Sequence, residues 1–543
     1  MAWEAFHWKK SQPLAEAYIA GAEQALPLFP HHFAREADWS RQAQQLSAHR
    51  GPSADRTALV EALGAYNERI GNAPQALEAL AHLRHPDSLV VVGGQQAGLF
   101  GGPLLVLYKA VTLLQLAREW GERLERPVVP VFWIAGEDHD FDEVNHVAVL
   151  SSAQQIEKIK VEHPTGRRTS VSRLPINETT WNGALEALEM TLPDTEFKAS
   201  LLDKLRACAE GAPTLSEAFG RWMAGLFGEY GLVLLDSDDP ALRRVEAPFF
   251  AELIAQNPGL SEALSAGRSA VEAAGFTPQA EVAPDGANLF VFHAGQRLLL
   301  QRDGELFADK KQELRLTLDE LLELATNSPD SLSNNVMTRP LMQQFLFPAL
   351  ATVLGPGEIA YWGLTGPAFE RLGLPMPIIV PRLEFTLLEG TVHKHMNKYG
   401  LSLDDVLHRF DEKKRQWLDA QDTLRLPERF ASVKTAFRAE YEPLVDSLAA
   451  INPGVKKLGE TNLQKILEQI DFLAAKASDA HQTQFDAALR QLDRIKLTVL
   501  PLAKPQERVY NGCAYLNRYG NSWLQQLVEQ RIPVDGQHRV YYL

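Results

Sequence analysis

Two stretches hold most of the groups in this chain that could do chemistry. Residues 136–146 read G-E-D-H-D-F-D-E-V-N-H and bring five carboxylates and two imidazoles together. A histidine beside carboxylates exchanges a proton near neutral pH, which makes Asp138, His139 and Asp140 candidate general acid–base groups. The same groups could ligate a divalent cation. Neither HxxxH nor HExxH spacing occurs, however, and neighbouring side chains at a strand end point apart, so no metal is expected. The plain alternative is a solvated acidic loop. Residues 93–102, G-G-Q-Q-A-G-L-F-G-G, form the second stretch. Free backbone amides before a helix, at the positive end of its dipole, suit a phosphate or carboxylate. Gly94, Gln95, Gln96 and Gly98 are therefore candidate substrate-binding residues. The spacing is neither GxGxxG nor GxxxxGK[ST], so neither a dinucleotide site nor a Walker loop is indicated. A tight turn needing small residues is the plain alternative.

Other groups fall beside these two. Arg339, Arg382 and Arg508 each stand near an expected strand end or glycine turn, and a planar guanidinium grips carboxylate or phosphate bidentately. Each alone would also serve as a surface ion pair. Glu358, in G-P-G-E, lies at a further strand end, and Tyr361 and Asn145 join the substrate-binding candidates. Lys109 is expected to snorkel outward from its helix. His31 and His32 follow Pro30 and are expected in a surface loop.

A scaffold must bring these stretches together. Residues 89–92 are an apolar run, a helix starts at Pro103, and residues 128–135 are a second apolar, β-branched run. Strand, helix, strand makes a right-handed crossover unit of a parallel sheet, whose ligands bind beyond the carboxyl ends of the strands. Both polar stretches would sit there. Further parallel strands are expected within 231–240, with Ser237 or Asp238 capping the next helix, and at 349–353 and 377–380. Short strands are expected at 145–151 and 157–162, and an antiparallel meander over 287–307 reads as an insertion. From 391 to 496 the chain is charged and helical. Leu463, Ile466, Ile470, Leu473 and Ala477 follow three-four spacing, resumed after a slip by Phe485, Ala488, Leu492 and Ile495. That is a coiled coil with a stutter, folding back on itself or pairing two subunits. The expected organisation is a helical N-terminal arm (1–86), core segments at 87–150, 226–260 and 331–390, insertions at 151–225 and 261–330, a helical arm (391–498), and a C-terminal segment (499–543) returning to the core.

Composition narrows the function classes. With 543 residues, 45% hydrophobic and 23% charged, the chain reads as an ordinary multi-domain globular protein. Its formal net charge of -15 argues against a broad nucleic-acid or anionic-membrane footprint. Two distant cysteines, Cys208 and Cys513, indicate neither a disulfide framework nor a zinc ribbon. The N-terminus has no apolar run of signal-peptide length, and residues 89–117 are too interrupted to span a bilayer. A cytoplasmic protein is expected.

The motifs V-V-G-G-Q-Q-A-G-L-F-G-G-P, P-V-F-W-I-A-G-E-D-H-D-F-D-E-V-N-H, G-P-G-E-I-A-Y-W and Q-E-R-V-Y-N together resemble the bacillithiol biosynthesis cysteine-adding enzymes, the BshC family. Gly93 stands where that family's motif usually carries threonine, a departure confined to the turn. The resemblance implies an α/β fold with a Rossmann-like parallel-sheet core, inserted connecting-peptide subdomains and a long α-helical coiled-coil arm that makes a homodimer. It implies a ligase joining cysteine to the glucosamine nitrogen of glucosaminyl-malate. It also implies an adenine nucleotide (ADP or ATP) in a separate pocket, for which Arg508, Tyr510 and Asn511 are the candidates. A compatible mechanism binds an anionic substrate at the glycine turn, takes the amine proton with Asp138 or His139, grips a carboxylate with Arg339 or Arg382 and pairs the cysteine amino group with Glu358. Two other classes compete: a nucleotide-dependent transferase that adenylates a small acid, which no HIGH-like or KMSKS-like signature encourages, and a non-catalytic coiled-coil scaffold.

Overall fold

The computed structural model describes residues 3–543 and divides the chain into two compact units. The first comprises residues up to 387, with 506–541 and 543; the second comprises 388–505 with Tyr542. The chain enters through β1 (Trp3–Phe6) and a set of short helices. The apolar runs then fold as β2 (Leu89–Gln95), the helix Leu105–Leu124 and β3 (Val128–Ile134). The first insertion carries the antiparallel pair β4 (His146–Leu150) and β5 (Ile156–Lys160) and three helices, ending in Leu215–Phe227. It returns to the core as β6 (Val233–Asp236).

After the helices Pro240–Ala255 and Asn257–Ala273, the second insertion folds as β7 (Gly286–His293), β8 (Gln296–Asp303), β9 (Leu306–Asp309) and β10 (Arg315–Thr317). A helix and β11 (Leu332–Asn334) complete it, in a mixed-order antiparallel sheet β10-β9-β8-β7-β11. Core strands β12 (Ala349–Leu354) and β13 (Ile378–Pro381) follow. The central sheet has the order β13-β12-β2-β3-β6, and all its neighbouring strands are parallel. The strand order changes direction at β2, with β3 and β6 added on one side and β12 and β13 on the other, which makes a switch point where a crevice opens beyond the strand ends. The central strands are buried on both faces, which explains why they read as continuous apolar runs rather than alternating ones. Finally β14 (Glu384–Leu388) and β15 (His538–Tyr542) join β1 in a third sheet.

Several local expectations are corrected. Strand β2 does not stop at Gly93-Gly94 but runs through to Gln95, because Gly93 and Gly94 pair with Phe132 and Trp133 of β3. The helix after β6 is capped by Asp239, whose carboxylate accepts from the amides of Ala241 and Leu242, rather than by Ser237 or Asp238. His31 and His32 are not on the surface. Both are buried, and His32 Nε2 bonds the Tyr18 carbonyl at 2.8 Å. The N-terminal arm is helical apart from β1, whose partner in β15 lies more than 500 residues away and leaves no local signal.

In the second unit the helices Leu426–Ser447 and Pro453–Thr483 fold back on one another through a short turn capped by Asn452. Lys434 bridges Asp471 and Tyr441 bonds Asn462, which fixes an antiparallel register. A further helix, Asp486–Val499, packs against Gly390–Tyr399. No helix among the described residues is long and apolar enough to cross a membrane.

Candidate active site

A cavity of about 760 Å³ opens beyond the carboxyl ends of β2, β3 and β12. Both polar stretches contribute to its wall: Gly94, Gln95 and Gln96 on one side, Asp138 and His139 on the other. Arg339, Glu358, Tyr361, Arg382 and Arg508 line it as well. The volume falls in the range of roughly 300–1,000 Å³ usual for small-molecule sites.

At the carboxylate end, Asp138 is held by three donors. Its Oδ2 accepts from Gln96 Nε2 at 2.6 Å, and its Oδ1 from the amides of His139 (2.7 Å) and Asp140 (3.4 Å). The carboxylate is thus aimed by both polar stretches at once. Burial, then Arg297 and Arg168, lower the His139 pKa to about 4 against the opposing pull of Asp138 and Asp140. Glu137, the first acid of the cluster, turns inward. It pairs with the fully buried Arg243 at 2.7 Å and accepts the Asn334 amide at 3.1 Å, so it anchors the loop. Beneath the loop, Asp236 accepts from Ser172 Oγ and the Asp238 amide, and burial raises its pKa to about 7.

The cationic end is built around Lys109, which is a correction. It does not snorkel outward: it is wholly buried, and its Nζ donates to the Gly94 carbonyl at 2.6 Å and to Glu358 Oε2 at 2.7 Å. Burial lowers its pKa in spite of Glu358. Glu358 Oε2 also takes the Gly355 amide at 2.7 Å, at the start of the helix Pro356–Trp362, while Oε1 makes no hydrogen bond among the described residues. Arg339, first residue of the helix Arg339–Leu346, lies over the Trp133 ring and against Gly94. Its Nη1 is enclosed and has no partner among the described residues. A buried donor left unpaired costs about 1–3 kcal/mol, and an anionic ligand would remove that cost. Burial raises the Tyr361 phenol, which stays neutral.

Other expected residues stand elsewhere. Arg382 touches the cavity, but its guanidinium is committed to Glu507 and the Leu383 carbonyl, so it is not a free carboxylate grip. Asp140 is exposed and Asn145 is buried against Asp142, and neither lines the cavity. Gly98 is also outside it: a Cβ there would lie 2.7 Å from the Gly102 Cα, because the turn doubles back on itself. The amides of Gly98, Gly101 and Gly102 are used within the turn, on the carbonyls of Gln96, Gly98 and Leu99. Asn511 donates to the carbonyls of Phe100 and Gly102, and Leu104 donates to the Tyr510 carbonyl, so the C-terminal segment clamps the turn. Arg508, Tyr510 and Asn511, the candidates for an adenine nucleotide, have different surroundings. The first faces the main cavity, and the other two are buried in that clamp.

Sequence reasoning missed Lys109, Arg297 and Asn334. Arg297, on β8, comes from the second insertion and donates to His139 Nδ1 at 2.9 Å. Asn334 lines the cavity with both side-chain amide atoms enclosed and without a partner among the described residues. The N-N-V-M-T-R-P run that holds it was the available signal.

A parallel α/β core with carboxylate, imidazole and guanidinium groups converging at a strand switch point defines a Rossmann-like protein with a cavity of small-molecule size. The comparisons with known proteins are more specific. Residues 1–383 match the family model described as "Bacillithiol biosynthesis BshC, N-terminal Rossmann-like domain", and 385–543 match the "C-terminal coiled-coil domain" of the same family. Relatives named "Putative cysteine ligase BshC" include proteins from Symbiobacterium thermophilum (37% identical, 97% of each chain covered). Others come from Geobacillus kaustophilus (37%, 98% of each) and Bacillus licheniformis (33%, 98% of each). The chain belongs to the BshC family of bacillithiol biosynthesis.

Proposed function

We propose that the chain joins cysteine to glucosaminyl-malate through an amide bond. The observation that carries this reading is the two-ended cavity, with a triply hydrogen-bonded carboxylate at one end and an unpaired guanidinium at the other. The malate carboxylates would meet Arg339, aided by Arg508, and the cysteine ammonium would meet Glu358 Oε1. Asn334 would bond sugar hydroxyls, which both donate and accept as its amide does.

Carboxylate and ammonium do not condense in water, so the cysteine carboxyl must arrive activated, here as a phosphoric anhydride, and the amine must be neutral. The amine nitrogen attacks the acyl carbon and a C–N bond forms. The carbonyl π pair moves onto oxygen, Asp138 accepts the amine proton, and collapse expels phosphate with the bonding pair. In a strain lacking its own copy, the wild-type chain is expected to restore bacillithiol. Asp138→Asn is expected to leave glucosaminyl-malate accumulating, and normal thiol in that variant would remove Asp138 from the chemistry.

Two further readings go with this one. A homodimer through the helical arm is supported by exposed apolar residues along it, among them Leu444, Ile451, Leu458, Phe472 and Leu473, and sedimentation equilibrium tests it. A cytoplasmic location is supported by two free cysteines, one of them buried.

A further inference from the structure

Arg297 has every guanidinium nitrogen engaged. Its Nε donates to Ser333 Oγ at 2.8 Å, Nη2 to the Asn334 carbonyl at 2.7 Å and Nη1 to His139 Nδ1 at 2.9 Å. It is buried and lies over the Phe290 ring, 3.8 Å from the centroid. Its position is thus set by contacts other than His139. A guanidinium carries only donors and keeps its proton at any pH a folded protein meets. Nδ1 of His139 must therefore accept, so the ring is neutral and its single proton sits on Nε2. Among the described residues that nitrogen has no hydrogen-bond partner, it is not enclosed, and the residue lines the cavity.

We infer that Arg297 is a positioning residue that fixes His139 as an Nε2–H donor into the cavity and leaves Asp138 alone to accept the amine proton. The inference rests on the amide-forming reading. In that step the C–N bond forms, the carbonyl π pair moves to oxygen, and this oxygen accepts from His139 Nε2–H. The amine proton goes to Asp138, and the C=O re-forms as phosphate leaves with its bonding pair. A ring already protonated on Nε2 and tied through Nδ1 has no free lone pair with which to act as base. The charged groups facing it are Arg297 from β8, Arg168 from the first insertion, and Asp138 and Asp140 on its own loop; the Phe290 ring covers another side. Burial and the two arginines outweigh the two carboxylates, so the ring stays uncharged well below neutral pH.

The test uses the full chain labelled with ¹⁵N-histidine. Two-bond ¹H–¹⁵N correlations report the tautomer, with His139 assigned by its loss in His139→Gln. The expected result is a neutral, Nε2-protonated ring from about pH 8 to about pH 5. In Arg297→Gln the ring should titrate at a higher pH than in the wild type, though burial and Arg168 still hold it below the ordinary value of about 6.5, and in Arg297→Lys, which keeps a cationic donor, it should stay neutral. An Nδ1-protonated ring, or one charged at pH 6 in the wild type, overturns the inference even if Arg297→Gln does not fold.

Turnover supplies a second readout. His139→Gln, which retains an N–H near the Nε2 position, should lose no more than about tenfold, whereas His139→Ala should lose about 10²–10³-fold, the scale of one oxyanion donor. Equal loss in both makes His139 the base and overturns the inference. The expected tautomer with no amide product from any activated cysteine refutes the amide-forming reading instead and leaves the Arg297–His139 assignment supported.

Discussion

Replacing Lys109 with methionine keeps the length of a wholly buried side chain while removing its charge and both hydrogen bonds. The Nζ side of the pair is 1% exposed and the Glu358 side 26%. Breaking a buried ion pair from one side costs about 3–5 kcal/mol, largely through the charge left behind. Glu358 keeps the Gly355 amide and some access to the cavity, which places the loss at the low end, about 3 kcal/mol. Differential scanning calorimetry should then show a Tm lower by about 6 °C, taking roughly 2 °C per kcal/mol for a large domain. Adding Glu358→Gln removes the orphaned charge, while the Gln carbonyl still accepts from Gly355, so the double variant should recover most of the loss. It should nonetheless fail to turn over, having lost the carboxylate proposed to hold the substrate ammonium. A single variant as stable as wild type, or a double variant no better than the single, would refute the reasoning.

Other outcomes are expected from the same geometry. Burial raises Asp236 to about 7, so its stabilising contribution is complete below the ordinary carboxylate value and is lost as pH rises through about 7. Asp236→Asn should flatten the stability profile measured by urea unfolding between about pH 4 and pH 7. A Cβ at Gly94 would lie 2.7 Å from both Arg339 Nη2 and the Trp133 carbonyl. Gly94→Ala should therefore cost about 1–3 kcal/mol by overpacking, read by thermal unfolding, and should weaken glucosaminyl-malate binding in calorimetry. Arg339→Met removes one charge-assisted grip and should weaken that binding about 10- to 100-fold with little change in Tm. Asn334→Ala should raise KM far more than it lowers kcat, since it touches the sugar and not the reacting carbon.

The parallel core was legible because buried strands carry their own apolar runs, and β2, β3, β6, β12 and β13 each had one. The meander announced itself through Ala-Gly and Asp-Gly turns. The pairing of β1 with β15 was not legible, since nothing local encodes a partner at the other end of the chain. Within the site, the two polar stretches met as expected because both follow neighbouring parallel strands. The roles inside them were harder to read. Glu137 and Asp138 are adjacent acids with opposite fates, one tied to the buried Arg243 and the other facing the cavity, and only the distant helix carrying Arg243 decides which is which. Lys109 looked like a surface lysine because its partners, Gly94 and Glu358, lie 15 and 249 positions away. The donation of the Asn511 amide to the carbonyls of Phe100 and Gly102 was not legible either, since these partners lie more than 400 positions away.

The central claim is that this cavity makes an amide between cysteine and the glucosamine nitrogen. The most direct measurement is mass spectrometry of the purified full chain incubated with glucosaminyl-malate and a phosphate-activated cysteine, beside Asp138→Asn. The account predicts the cysteinyl amide, formed by the wild type and reduced to the background rate in the variant. Equal product from both proteins, or none from the wild type while glucosaminyl-malate demonstrably binds, would contradict it.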